Sequence, residues 1–374
     1  MRIAVNTRFL RKDYLEGYGY FIHELFRRIT VNNPGHEFIF ISDQPLGARF
    51  IYSKNITPVV AGPPARHPLL WKFWYDIRIP WLLKKYKADL FVSCDGFASL
   101  RCPVPQCLVL HDLAYLHYPA GINRTQRAFY KRFIPQFIRT ADRVLTVSEF
   151  SRKDIVRHFP FAADKTTVLY NGIRPEFRPL DWETKQTVKE KYTGGKEYFL
   201  YTGSVHPRKN LMGLLKAFSL FKKRQQSSLR LVIAGRLAWQ YASFTESLAT
   251  YKYRSDVILT GYLPEAELAA LTGAAYALVY PSFFEGFGLP VAEAMQAGVP
   301  VICSEHSAME EIAAGAALLA NPSDPASIAE KMMRLYKDES LRAGLIAKGT
   351  ARARAFSWEN AATQFMKELE SCIR

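Results

Sequence analysis

The chain has 374 residues, 49% of them hydrophobic and 22% charged, with 21 glycines, 21 prolines and a net charge of +16. That length suits two or three domains with real cores, and that composition excludes collagen-like, low-complexity and disordered chains. No apolar run reaches the roughly 18 residues that a membrane-spanning helix needs. The charge is uneven: residues 1–180 carry 27 basic side chains against 14 acidic ones, a net +13, and the remainder carries 23 against 20. A basic first half fits nucleic acid, an anionic membrane or an anionic small molecule, or a merely solvated surface. The five cysteines are odd in number and show no C-x2-C pair, which argues against a disulfide framework or a zinc site. The sequence enters a strand from its first residues with no signal-peptide stretch, so a cytoplasmic protein is expected.

Short β-branched apolar runs alternate with helical patterns along the whole chain, the signature of parallel sheets with crossover helices. In the first half, strands are predicted at Arg2–Asn6, Glu37–Ile41, Asp89–Val92, Gln106–Leu110, Arg143–Val147 and Thr166–Leu169. Helices are predicted at Tyr18–Thr30, Leu69–Tyr86, Arg124–Thr140 and Glu149–Phe159. A polar stretch from Asn171 to Gly195, with Pro175, Pro179, Gly194 and Gly195, reads as a linker. Strands then recur at Tyr198–Tyr201, Leu229–Ala234, Asp256–Thr260, Tyr276–Tyr280, Val299–Cys303 and Ala317–Leu319. The helices between and after them are Leu211–Lys223, Glu265–Leu271, Leu289–Ala297, Ala308–Ala314, Ala326–Tyr336, Leu341–Arg354 and Glu359–Ile373. The pattern predicts an α/β protein of two doubly wound domains. Ligands in such sheets bind beyond the carboxyl ends of the strands, so the loops there are the places to search.

The strongest local signal is Phe284-Glu-Gly-Phe-Gly-Leu-Pro-Val-Ala-Glu-Ala-Met295, which follows a predicted strand. Its glycines let a ligand approach backbone N–H groups at the positive end of a helix, and Pro290 suits a first turn. Glu285 in the loop and Glu293 in the helix bracket that start; carboxylates accept hydrogen bonds from sugar hydroxyls, while the N–H groups cradle phosphate.

This segment resembles the E-x7-E motif of the family 4 retaining glycosyltransferases, whose GT-B fold sets two Rossmann-like domains facing each other across a cleft. Further segments resemble the family in the expected order: Val168–Ile173 its interdomain hinge, Tyr201–Asn210 the element presenting a basic pair to the donor diphosphate, Leu231–Arg236 the next strand and turn. Phe356-Ser-Trp358 precedes a final helix that in the family crosses back to the first domain. The resemblance implies an acceptor-side domain over residues 1–172 completed by residues 357–374, and a nucleotide-sugar domain over residues 173–356. It places Glu285 at the donor sugar hydroxyls and Glu293 at the ribose. The backbone around Gly203, Phe287, Gly288 and Leu289 would face sugar or phosphate. Arg208 and Lys209 would neutralise the departing diphosphate, since fixed cations stabilise charge that grows in the transition state.

In the first half, His111 follows a strand in Leu110-His-Asp112, and the resemblance implies contact with the donor hexose. Glu16-Gly-Tyr-Gly-Tyr20 resembles the family's glycine loop, with Gly17 and Gly19 near the diphosphate. No Asp-x-Asp pair occurs, which agrees with the metal-independent, configuration-retaining transfer the resemblance implies. No cofactor is expected. The donor is a nucleotide sugar, with GDP-mannose favoured because Asn6–Phe9, Gly17-x-Gly19 and Leu110–Leu113 look most like bacterial mannosyltransferases. The acceptor implied is a glycan or polyprenyl-linked glycan of cell-surface polysaccharide synthesis. A sugar-nucleotide epimerase of the same fold is the alternative; a nucleic-acid-binding protein would leave E-x7-E unexplained and shows no recognised motif. Finally, Leu69–Lys87 interleaves Trp71, Trp74 and Trp81 with Lys72, Arg78, Lys84 and Lys85. It reads first as a core helix with its lysines outside, and second as a peripheral contact with an anionic membrane face.

Overall fold

The computed structural model describes residues 1–11, 15, 17–64, 67–236 and 242–373. The chain divides into two compact units, residues 1–172 with 357–374, and residues 173–356. In the first unit the elements run β1 (Arg2–Asn6), α1 (Gly17–Asn32), β2 (Glu37–Ser42), β3 (Ile56–Val60), α2 (Pro68–Phe73), α3 (Ile79–Lys85), β4 (Leu90–Ser93) and β5 (Gln106–Val109). They continue through α4 (Ala114–His117), α5 (Arg124–Thr140), β6 (Arg143–Thr146), α6 (Glu149–His158) and β7 (Thr166–Val168). The strands form one parallel sheet in the order β3-β2-β1-β4-β5-β6-β7. The order reverses between β1 and β4, where Ile3 pairs with Leu90 and Asn6 with Ser93. The central strands β4 and β5 are buried throughout, as a parallel sheet covered on both faces requires, while the edge strands β3 and β7 are partly exposed.

The sequence pattern over 69–86 predicts one helix, and the structure interrupts it. A single π-helical turn, Trp74–Arg78, joins α2 to α3. Pro80 in the first turn of α3 has no N–H to return to the preceding turn, a local defect that a change of pitch absorbs. Trp71, Trp74, Tyr75, Ile79, Leu82 and Leu83 enter the core, as the core-helix reading expects. Phe73, Ile77 and Trp81 do not: they stay 38%, 49% and 50% exposed on a second face.

The second unit holds α7 (Trp182–Thr193), β8 (Tyr198–Thr202), α8 (Leu211–Gln225), β9 (Arg230–Ala234), α9 (Ala242–Ala249), β10 (Val257–Gly261) and α10 (Glu265–Gly273). It continues with β11 (Ala277–Tyr280), α11 (Leu289–Gln296), β12 (Val301–Ser304), α12 (Ala308–Ala313), β13 (Ala317–Ala320), α13 (Pro325–Lys337) and α14 (Glu339–Ala353). Its parallel sheet runs β10-β9-β8-β11-β12-β13 and reverses between β8 and β11. The stretch read as a linker contains α7. Asp181 caps its start by accepting from the Thr184 N–H, and Gly194, at φ +62°, ends it in the left-handed conformation. Of the residues that suggested a loop, Gly194 is the C-cap of this helix, while Pro175 and Pro179 lie in the segment before it.

The last helix, α15 (Trp358–Ser371), belongs to the first unit. Phe365 meets the edges of Phe21 and Phe26 from α1, and Gln364 donates to the carbonyl of Val168, the last residue of β7. Among the described residues no helix is long and apolar enough to cross a membrane.

Candidate active site

In the second unit, the loops after β8 and β11 meet at the switch point. Gly203 continues β8 at φ +130°. A short 3-10 turn, Pro207–Lys209, then leads through Asn210 into α8. Asn210 caps α8 by accepting from the Gly213 N–H and donates to the carbonyls of Pro281 and Pro322, tying the basic turn to the loop after β11. The Phe283 N–H donates to the Arg208 carbonyl across the same junction at 2.9 Å.

This junction brings Arg208 and Lys209 onto Glu285. The Lys209 ammonium lies 2.5 Å from Glu285 Oε1 and donates to the Tyr280 hydroxyl at 2.8 Å. Arg208 Nη1 lies 3.3 Å from Glu285 Oε2 and also donates to the Phe284 carbonyl. The Ser282 hydroxyl donates to Glu285 Oε1 at 2.6 Å. Burial pushes the Glu285 carboxyl up, but the two cations and the hydrogen bonds from Lys209 and Ser282 outweigh it and hold the pKa at about 2. At neutral pH Glu285 is therefore ionised and can only accept hydrogen bonds.

Gly288 starts α11 at φ +95°, a conformation that favours glycine, and a Cβ there would sit 2.7 Å from Met309 Cγ. Phe287 packs edge-on against Phe356 at 5.4 Å, and Leu289 and Pro290 open the helix, whose Val291 N–H donates to the Gly288 carbonyl at 2.9 Å. Glu293 is buried one turn further on. Arg174, in the segment after β7, approaches Glu293 Oε1 to 2.7 Å and Glu265 to 3.2 Å, and the Gln296 amide fixes the Arg174 carbonyl. Burial raises the Glu293 carboxyl, with Arg174 opposing it. Arg174 is absent from the residues singled out by sequence: 119 positions separate it from Glu293, and no local pattern joins them.

In the first unit, His111 follows β5. Its Nε2 lies 3.1 Å from the Cys94 carbonyl, so the ring carries its proton there. The rings of Tyr18 and Phe21 meet it edge-on, each at 4.8 Å. Burial lowers its pKa, only partly countered by the Cys94 carbonyl, Asp112 and Asp95, and keeps it neutral at pH 7. Gly17 and Gly19 are the first and third residues of α1; Glu16 lies outside the described residues. Beside Gly17 there is open space, whereas a Cβ on Gly19 would lie 2.6 Å from the Phe9 carbonyl oxygen. Close packing of α1 on the loop after β1 thus requires glycine at 19.

Two Rossmann-like units, each a parallel sheet with chemistry-bearing side chains in the loops beyond its strands, define a GT-B protein. The family model described as Glycosyltransferase Family 4 matches residues 15–177, and the one described as Glycosyl transferases group 1 matches residues 183–352. The chain is 31% identical over 303 residues to O-antigen chain mannosyltransferase B of Escherichia coli, covering 80% of this chain and 79% of that one. It is 28% identical over 287 residues to O-antigen chain mannosyltransferase RfbU of Salmonella typhimurium, covering 76% and 75%. Among solved structures it superposes on WaaG, a glycosyltransferase involved in lipopolysaccharide biosynthesis, with a TM-score of 0.79, 15% identity and coverage of 98% and 99%. The chain belongs to the family 4 glycosyltransferases and is mannosyltransferase-like.

Proposed function

We propose that this enzyme transfers mannose from GDP-mannose, with retention of configuration and without a metal on the diphosphate, to a glycan or polyprenyl-linked acceptor during cell-surface polysaccharide synthesis. The observation that carries the reading is the convergence of Lys209 and Arg208 on an ionised Glu285 beside the glycine start of α11. A nucleoside diphosphate departs with growing negative charge, and two cations already fixed there stabilise it without reorganising. A carboxylate held at about pKa 2 is a weak base and suits hydrogen bonds from sugar hydroxyls better than proton abstraction. Glu293, oriented by Arg174, then serves the ribose. Neutral His111 is suited to exchanging a hydrogen bond with a sugar hydroxyl. Mannose is favoured over other hexoses by the mannosyl transfer named for the two O-antigen relatives.

The acceptor reading includes an anionic lipid surface. Phe73, Ile77 and Trp81 recur every four residues on one exposed face, and the charged groups of Arg78 and Lys85 lie over the Trp81 ring at 5.2 and 5.1 Å. Aromatic rings interleaved with cations suit the headgroup zone of a bilayer.

Purified enzyme is incubated with GDP-, UDP- and ADP-sugars, with and without a lipid-linked acceptor, in EDTA. Transfer from GDP-mannose is expected. An epimerised sugar nucleotide would support the epimerase instead, and activity lost on chelation and restored by Mg²⁺ would overturn the metal-free reading.

A further inference from the structure

In the first unit, His117 at the end of α4 and Asp154 and His158 on α6 form a compact group. One ligand atom from each lies within 4.8 Å of the other two. His117 Nε2 sits 2.8 and 3.0 Å from the two Asp154 carboxylate oxygens. His158 Nδ1 lies 3.3 Å from Asp154 Oδ1 and 2.9 Å from the Asp154 backbone carbonyl. The imidazole rings meet edge to face at 5.5 Å. Both histidines are about one-third exposed, and Asp154 between them is mostly buried.

We propose that His117, Asp154 and His158 bind a divalent transition-metal ion of the zinc type. Two imidazoles and a carboxylate favour Zn²⁺ or Co²⁺ over Mg²⁺ or Ca²⁺, which take oxygen ligands. A tetrahedral ion with bonds of about 2.0–2.2 Å holds its ligand atoms ~3.3 Å apart. The histidine nitrogens lie 2.8 to 3.3 Å from the nearest Asp154 carboxylate oxygens and all three ligand atoms lie within 4.8 Å, distances that bracket that spacing. On binding, His117 Nε2 and His158 Nδ1 give up the hydrogens they direct at the Asp154 carboxylate and backbone carbonyl, and each neutral ring keeps one proton on its other nitrogen. Three protein ligands on a solvent-facing site leave the fourth position to water or an external donor.

The spacing from Asp154 to His158 is i, i+4, one helical face, so α6 presents a preformed pair and α4 supplies the third ligand. The bound ion therefore fastens α4 to α6. The start of α4 is held by Asp112, whose carboxylate accepts from the Ala114 N–H at 2.8 Å, next to His111. The site thus braces the segment that carries His111, and it is separate from the Arg208–Lys209–Glu285 cluster of the second unit.

The test uses the full chain without an affinity tag. Titration with Zn²⁺ by calorimetry, and with Co²⁺ by visible absorption, should show one equivalent bound and ligand-field bands of four-coordinate cobalt. His117→Ala and His158→Ala should each weaken binding by more than the roughly tenfold that losing an outer-shell partner costs. Asp154→Asn, nearly isosteric, should also weaken it with an unchanged circular-dichroism spectrum, while His36→Ala should bind as wild type. Hydrogen exchange should slow in α4 when Zn²⁺ is added. Absence of one-equivalent binding, or binding undiminished in both histidine variants, overturns the proposal. EDTA is expected to strip this ion and leave transfer intact, so failure here and failure of the metal-free transfer reading give different results.

Discussion

At the β1/β4 junction of the first unit, Arg8 and Asp95 form a 2.8 Å ion pair, with their side chains 7% and 0% exposed. The guanidinium lies within 6 Å of the rings of Phe9, Trp74, Tyr75 and Phe97. Asp95 also accepts from Asn6, Tyr75 and Ser93. At the β8/β11 junction of the second unit, Lys209, Arg208 and Glu285 form a similar ionic cluster, with side chains 12%, 21% and 10% exposed. The walls differ. Four aromatic rings surround the first pair, whereas in the second Lys209 lies over the Tyr280 ring and glycine-bearing backbone, Gly203 and Gly286–Gly288, continues from the cluster. The same topological position therefore holds a sealed polar brace in one sheet and an approachable charged cluster in the other.

The comparison breaks most severely at Asp95. Asp95→Ala leaves the Arg8 charge buried and removes the carboxylate acceptor of Asn6, Tyr75, Ser93 and the Phe97 N–H, and should cost about 3–5 kcal/mol of stability, read by urea unfolding. A loss near zero would mean that the sealed pair braces nothing. In the second unit, Glu285→Gln should lower turnover by about 10²-fold or more with nucleotide affinity nearly kept. Near-normal turnover would remove Glu285 from the chemistry. The same variant has a signature in acid. Because Glu285 is held at about 2, below its usual 4.5, its stabilising contribution is full above about pH 4.5 and is lost as pH falls towards 2. Thermal melts should show wild type losing stability more steeply than Glu285→Gln across that window.

Arg174→Ala sharpens the contrast from the other side. It leaves Glu293 buried without its cation and should weaken nucleoside diphosphate binding by about 1–3 kcal/mol, while Arg174→Lys restores part of the loss. Calorimetric titration reads both, and unchanged affinity would detach Glu293 from the nucleotide. The smallest effect per residue is expected on the outer face of the first unit. Lys84→Gln and Lys85→Gln should each remove about 1 kcal/mol from binding to phosphatidylglycerol vesicles, an attraction that fades within a Debye length of about 8 Å at physiological salt. Co-sedimentation at low and high salt measures this. Wild-type protein that stays in the supernatant at low salt would leave Phe73, Ile77 and Trp81 as ordinary exposed side chains.

Much of this molecule is legible in its residues. The alternation of apolar runs with helical patterns marks two parallel sheets, because a strand covered on both faces must be apolar throughout. The spacing of Glu285, the glycines and Glu293 marks a ligand-ready helix start, because local backbone conformation depends on local residue type. The short edge strand β3 carries Thr57 and Pro58 and lacked that signal, and the α7 caps read as a linker for the same local reason.

Pairings across long separations were decided only by the fold. Lys209 reaches Glu285 over 76 positions, Arg8 reaches Asp95 over 87, and Arg174 reaches Glu293 over 119. Such pairs depend on which strands become neighbours, and strand order is set by packing the whole sheet. Local residue pattern marks most of the strands and helices, the family resemblance and the candidate Glu285–Glu293 segment, but not β3, α7 or Arg174. Tertiary structure alone decided which charges meet, which are sealed among aromatics, and hence which carboxylate is held ionised by two cations and which is pushed up by burial.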